Sequence, residues 1–200
     1  MFKIAALVSG GGTNLQAILD VIDAGKIKGA KVEVVISTND HAYALERAKK
    51  HGIKTMVLRK KDFANSSDRE QVLLDELSLC AIDLVVTCGC MMVLSEDFVN
   101  ASPAPIINVH PSLLPKYGGK GFYGLAPHKA VLAAGETMTG ATVHYVDGGI
   151  DTGGIILQQE VKVFEYDTPE TLQKRVMEEA EWQILPAVIA KIVENHSRKN

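Results

Sequence analysis

Asn108 and His110 stand two residues apart at the end of an apolar run, in the segment Asn108-Val109-His110-Pro111-Ser112-Leu113-Leu114-Pro115. Residues i and i+2 of an extended segment point to the same face. If Ile106 to His110 form a strand, an amide and an imidazole look into one cavity. The amide can hydrogen-bond a developing oxyanion and the imidazole can move a proton. Pro111 holds His110 to extended conformations, and Pro115 stiffens the exit. This is the layout of an acyl-transfer site.

Other residues supply what such a site lacks. Ser9-Gly10-Gly11-Gly12-Thr13-Asn14-Leu15 follows an apolar run and opens a helical pattern, where successive backbone N–H groups and the helix dipole suit a phosphate. No Gly-Lys-Ser/Thr follows, so the Walker pattern fails; Leu15 stands where a dinucleotide fingerprint needs its third glycine. His144, Asp147 and Asp151 lie further on; an Asp151 that approached His110 would raise its pKa by stabilising the imidazolium. No H-E-x-x-H or H-x-H pattern points to a metal. Cys88-Gly89-Cys90-Met91-Met92-Val93-Leu94 is soft and apolar, suited either to core packing or to walling a slot for a flat heterocycle. His41, His51, His128 and His196 read as helix-surface residues, and Glu178, Glu179 and Glu181 as an acidic cluster on the last helix.

These groups need a scaffold. Short apolar runs at 4–8, 32–37, 54–58, 84–87 and 106–109 alternate with helical periods at 15–24, 42–51 and 69–79, an order that reads βαβαβ. The fold class is α/β: a Rossmann-like, doubly wound and mostly parallel sheet with its sites at the carboxyl ends of the strands. A helix near 127–134 leads to a β-hairpin of 140–146 and 155–164. Thr168-Pro169-Glu170 caps a terminal helix that Pro186 is expected to kink or break. Two hundred residues fit a single domain, 1–200. A formal charge of −3 argues against an extended nucleic-acid track, and no run reaches membrane-spanning length. Three cysteines without C-x-x-C spacing, and no secretory segment, fit buried thiols in the cytoplasm. Partners are expected to be small molecules, with the protein a monomer or homodimer.

Taken together, Ser9 to Ile18, Ile107 to Tyr117, Gly140 to His144 and Asp147 to Gly154 resemble the glycinamide ribonucleotide formyltransferase family over nearly the whole chain. The resemblance implies formyl transfer from 10-formyltetrahydrofolate to the amine of glycinamide ribonucleotide in purine synthesis, without a metal. Asn108, His110 and Asp151 match the family's catalytic trio. Gly12, Thr13 and Asn14 match its phosphate binder, and Glu181 and Glu178 match positions that contact the ribonucleotide. Met91, Met92, Val93 and Leu94 match a backbone stretch that holds the folate, with Asp147, Gly148, Gly149, Ile150 and Asp151 on its other side and Asn108 between.

Three departures stand out. Gly118 to Gly124 is longer than the family's usual proline-glycine segment and carries Lys120. The 59–69 region is short: an arginine often found there near the formyl donor has no clear counterpart, and Arg69 belongs to a later position. Met92 stands where an arginine is frequent. Within the fold, a formyltransferase for another amine or a formyltetrahydrofolate hydrolase is the alternative. From another class, an NAD-dependent oxidoreductase or nucleotide-binding module would use the glycines but leave Asn108, His110 and Asp151 without work.

Overall fold

A computed structural model describes residues 1–198. Seven strands form one sheet in the order β3-β2-β1-β4-β5-β6-β7: β1 Phe2–Val8, β2 Ala30–Ser37, β3 Lys54–Val57, β4 Leu84–Thr87, β5 Ile106–His110, β6 Met138–Tyr145 and β7 Ile155–Lys162. The first five pair in parallel; β6 runs antiparallel to β5, and β7 antiparallel to β6. Strands near the centre are apolar on both faces, as helices on either side require.

Alternation along the strands splits the core in two. Ile4, Ala6 and Val8 of β1 face one apolar cluster, which includes Leu15, Ile18 and Leu19 of α1 (Thr13–Asp23) and Leu185 and Ile189 of α7 (Trp182–Ser197). Ala5 and Leu7 face the other, which includes Leu73 and Leu77 of α3 (Ser66–Leu79) and Phe98 of α4 (Glu96–Ala101). In β5, Ile107 and Val109 take the first face, so Asn108 and His110 share the second with Ile106. The chain crosses from β1 to β2 on one side and reaches β4 on the other. The crevice between the carboxyl ends of β1 and β4 is therefore a topological switch point, where doubly wound sheets bind ligands.

Thr168 caps α6 (Pro169–Val176) reciprocally with Thr171, as Thr168-Pro169 predicts. Pro186 does not break the terminal helix. It lies inside α7 with its ring buried, and the departure from α geometry falls just upstream, in a π-helical turn over Met177–Glu181. Packing of the ring in the core offsets the hydrogen bond that proline cannot donate. His128 is also not on the surface. In α5 (Ala126–Ala133) it is fully buried, with neither ring nitrogen hydrogen-bonded among the described residues, and burial, followed by the nearby His110, pushes its pKa down to about 4. Among the described residues, no helix is long and apolar enough to cross a membrane.

Candidate active site

The carboxyl ends of β1, β4 and β5 open into a cavity of about 610 Å³. Its lining includes Gly10 to Asn14, Cys88 to Leu94, Asn108, His110, Lys120, His144, Asp147, Gly149, Ile150, Asp151 and Glu181. Most of the residues singled out from the sequence thus converge on one space. Gly148 and Glu178 do not line it: Gly148 lies against Glu96, and Glu178 is exposed, 3.8 Å from Lys174.

Register explains the centre of the site. Antiparallel pairing sets His144 of β6 directly opposite Asn108 of β5, and Thr142 opposite His110. Nδ1 of His144 donates to the Tyr145 carbonyl at 2.8 Å, which leaves Nε2 free to accept from Asn108 Nδ2 at 3.1 Å. On its other side, Asn108 Oδ1 accepts from the Thr87 hydroxyl of β4. The two neighbours fix the amide's orientation and leave its second N–H for a ligand. Neither role is legible in a local sequence pattern, because both depend on how β4 and β6 pair with β5.

His110 is buried, yet both of its nitrogens have partners. Nε2 lies 2.8 Å from the Tyr117 carbonyl, and Nδ1 lies 3.3 Å from Asp151 Oδ2. A carbonyl only accepts, so Nε2 carries a hydrogen and the proton that comes and goes is the one on Nδ1. Asp151 approaches His110 as expected and favours the imidazolium. Burial is the stronger influence, however, and the imidazole sits below its ordinary pKa. The expected net rise is therefore corrected to a fall, with Asp151 and the Tyr117 carbonyl opposing it. For Asp151 itself, burial opposes ionisation, but His110 and the Gly119 N–H help to hold the carboxyl below its usual range. Gly119 N donates to Asp151 Oδ2 at 2.9 Å, and Oδ1 is 3.6 Å from His144 Nε2. The close approach needs a glycine at 118, where a Cβ would lie 2.3 Å from Leu114.

One wall of the cavity is the glycine turn. The Gly10 and Gly11 carbonyls point away, onto Ala44 N at 3.1 Å and Arg47 Nε at 2.9 Å of α2 (Tyr43–Lys50). The first N–H groups of α1 are left without intrahelical acceptors, in the position that suits an anion. Gly12 has φ 70°, and a Cβ there would lie 2.6 Å from Ala44 Cβ. Asn14 donates to Glu181 Oε2 at 2.6 Å; burial raises the Glu181 pKa to about 6 against that bond. Gly12→Val is expected to lower Tm by several degrees, since the added side chain has no room against Ala44 and the backbone there is left-handed, as thermal melts would show.

A second wall is an apolar slot. Met91 N donates to Ser9 Oγ at 2.7 Å, and Glu70 of α3 accepts from Ser95 N and Oγ at 2.9 and 2.6 Å, so both ends of the Met91–Leu94 stretch are anchored. Across the cavity, Asp147 Oδ1 accepts from Gly149 N at 3.0 Å and Thr152 Oγ1 at 2.7 Å, which shapes the turn around Ile150. Arg69 does reach this wall. In the first turn of α3 it is 8% exposed, its Nε has no hydrogen-bond partner among the described residues, and it lines a smaller cavity of about 370 Å³ with Lys60, Ser66 and Met91 to Val93. The two cavities share the Met91–Val93 wall. A run of fourteen helical residues starting at Ser66, capped by Asn65, is the signal that would have placed Arg69.

Residues 2–189 match the model of the formyl transferase family. The phosphoribosylglycinamide formyltransferase of Haemophilus influenzae is 41% identical over 99% of this chain and 90% of its own length. That of Escherichia coli is 40% identical over 94% of this chain and 85% of its own length. Among solved structures, glycinamide ribonucleotide transformylase 1 from Symbiobacterium toebii superposes with a TM-score of 0.90 at 38% identity, covering 98% of this chain and 89% of that one. With its fold, its central Asn-His pair and its full-length similarity all in agreement, the chain belongs to the formyl transferase family.

Proposed function

We propose that the chain transfers a formyl group from 10-formyltetrahydrofolate to the amine of glycinamide ribonucleotide, a step of purine biosynthesis. The observation that carries this reading is the convergence of Asn108, His110 and Asp151 on one cavity that a phosphate-type turn and an apolar slot also line. The turn at Gly12 to Asn14 takes the phosphate, and buried Glu181 accepts hydrogen bonds from the polar body of the ribonucleotide. Met91 to Leu94 and Asp147 to Asp151 hold the heterocycle of the donor. Glu178, exposed beside Lys174, contributes at most to the rim.

The residues act in sequence. The substrate amine attacks the formyl carbon, and the free N–H of Asn108 and the protonated Nδ1 of His110 hold the oxygen on which charge develops. His110 then serves the proton transfer that lets the donor nitrogen leave, while Asp151 stabilises the imidazolium. Holding two substrates in one cavity supplies much of the remaining acceleration.

Arg69 and Lys60 suit the anionic tail of the donor, since a buried guanidinium with an unpartnered Nε gains most from a carboxylate. Arg69→Leu is expected to raise the donor KM about tenfold or more and leave the ribonucleotide KM within twofold; steady-state kinetics with each substrate varied in turn would check this.

The function is tested by offering the donor with glycinamide ribonucleotide, with methionyl-tRNA, with an amino-sugar nucleotide, or alone. Formylation of the first only is expected. Preferred formylation of another acceptor, or formate release without any acceptor, would overturn the reading.

A further inference from the structure

The Tyr117 carbonyl that meets His110 belongs to a residue with left-handed backbone, φ 56°, a conformation that a side chain of this size adopts rarely. Such a turn persists only where its surroundings hold it. Three contacts do so. The Tyr117 hydroxyl donates to Glu136 Oε1 at 2.8 Å, and Lys116 Nζ donates to the same oxygen at 2.9 Å. The Ser112 hydroxyl lies 2.7 Å from the Lys116 carbonyl and 3.3 Å from that of Tyr117. In addition, the Tyr117 ring packs edge-on against Phe122. Glu136 is itself fixed just beyond α5, where its N–H donates to the Val131 carbonyl at 3.2 Å.

We propose that Tyr117 and Glu136 are positioning residues for the reaction: the hydroxyl–carboxylate tether holds the Tyr117 carbonyl on His110 Nε2 and so commits Nδ1 to the proton that moves. Neither side chain needs to touch a substrate for this. The inference rests on the assignment of His110 as the proton-transfer group. The other groups around His110 are Asp151 from the loop after β6, His144 from β6 and neutral, buried His128 from α5. Of these, only Asp151 competes for a ring hydrogen of His110, and it faces Nδ1. The carbonyl of Tyr117, at the shorter distance, therefore holds a hydrogen on Nε2 against the pull of Asp151 on Nδ1. A carbonyl accepting from Nε2 also favours the charged ring, because an imidazolium donates more strongly than a neutral imidazole.

Tyr117→Phe and Glu136→Gln each weaken the tether without removing the carbonyl. Both are expected to lower kcat by about threefold to tenfold, the value of one hydrogen bond, with both KM values within twofold. The limb of the kcat–pH profile that reports protonated His110 is expected to move to lower pH. The double variant should lose no more than the worse single one, since both changes break the same link. Nitrogen-15 spectra of the imidazoles, recorded above the His110 pKa, should show His110 protonated at Nε2 in the parent and a mixture of tautomers in both variants.

An unchanged tautomer in Glu136→Gln, which retains the Tyr117 ring and its contact with Phe122, would overturn the proposal. So would a kcat loss with no movement of the pH limb, the outcome of a merely structural role. If the tautomer shifts while kcat and its pH profile stay the same, the tether exists but the assignment of His110 to proton transfer fails, and the positioning role fails with it.

Discussion

His110→Ala is expected to lower kcat by about a thousandfold, within the range that a positioned acid–base group contributes. The ring joins a titratable nitrogen to a carboxylate at 3.3 Å while its other nitrogen is held by a backbone acceptor at 2.8 Å. Without it, Asp151 keeps its charge but has no imidazolium to stabilise, and neither Asn108 nor His144 can take over the proton. The His144 Nδ1 hydrogen is already committed to the Tyr145 carbonyl. The fold should survive. Removal of a 4%-exposed ring leaves the Tyr117 carbonyl short of a donor and a small void, a cost of about 1–3 kcal/mol, against a core that spans both faces of a seven-stranded sheet. Circular dichroism melts run beside the kinetics separate the two effects: kcat falls by orders of magnitude, whereas Tm falls by several degrees. KM for either substrate should change little, because the glycine turn and the Met91–Leu94 stretch are anchored by contacts that do not involve His110.

Asn108→Ala should cost about a hundredfold to a thousandfold in kcat, the usual loss on deletion of one oxyanion donor. The amide's value lies in its prior arrangement. Thr87 occupies its oxygen and His144 one of its hydrogens, so the remaining N–H is aimed before substrate arrives. Asn108→Asp is expected to be no better than alanine. Its carboxylate would offer no donor and would place a second negative charge near Asp151. Measured kcat and KM for both variants check this, and a loss that appeared in KM alone would move Asn108 from the transition state to ground-state binding.

Much of this site was legible in a single strand. The period of two in Ile106 to His110 puts Asn108 and His110 on one face, and the alternation of apolar runs with helical periods implies a doubly wound sheet whose carboxyl ends carry the site. What could not be read was everything that depends on one element's placement against another. Thr87 and His144 act through the registers of β4 and β6 on β5, which no local pattern encodes. The net fall of the His110 pKa depends on how deeply the ring is buried. Other residues left a signal that went unused. His128 precedes Val131 and Leu132 by three and four residues, the spacing of a buried helical face. Glu178 and Glu181 have the same spacing, yet one is exposed and the other buried, because the π turn between Met177 and Glu181 breaks the 3.6-residue period on which such reasoning depends.

The most direct test is to mix purified protein with 10-formyltetrahydrofolate and glycinamide ribonucleotide and to follow the absorbance of the folate product, beside His110→Ala under the same conditions. The structure predicts folate product and formylated ribonucleotide in equal amounts, only when both substrates are present, and almost none with His110→Ala. Folate product released at the same rate without the ribonucleotide, or undiminished turnover by His110→Ala, would contradict it.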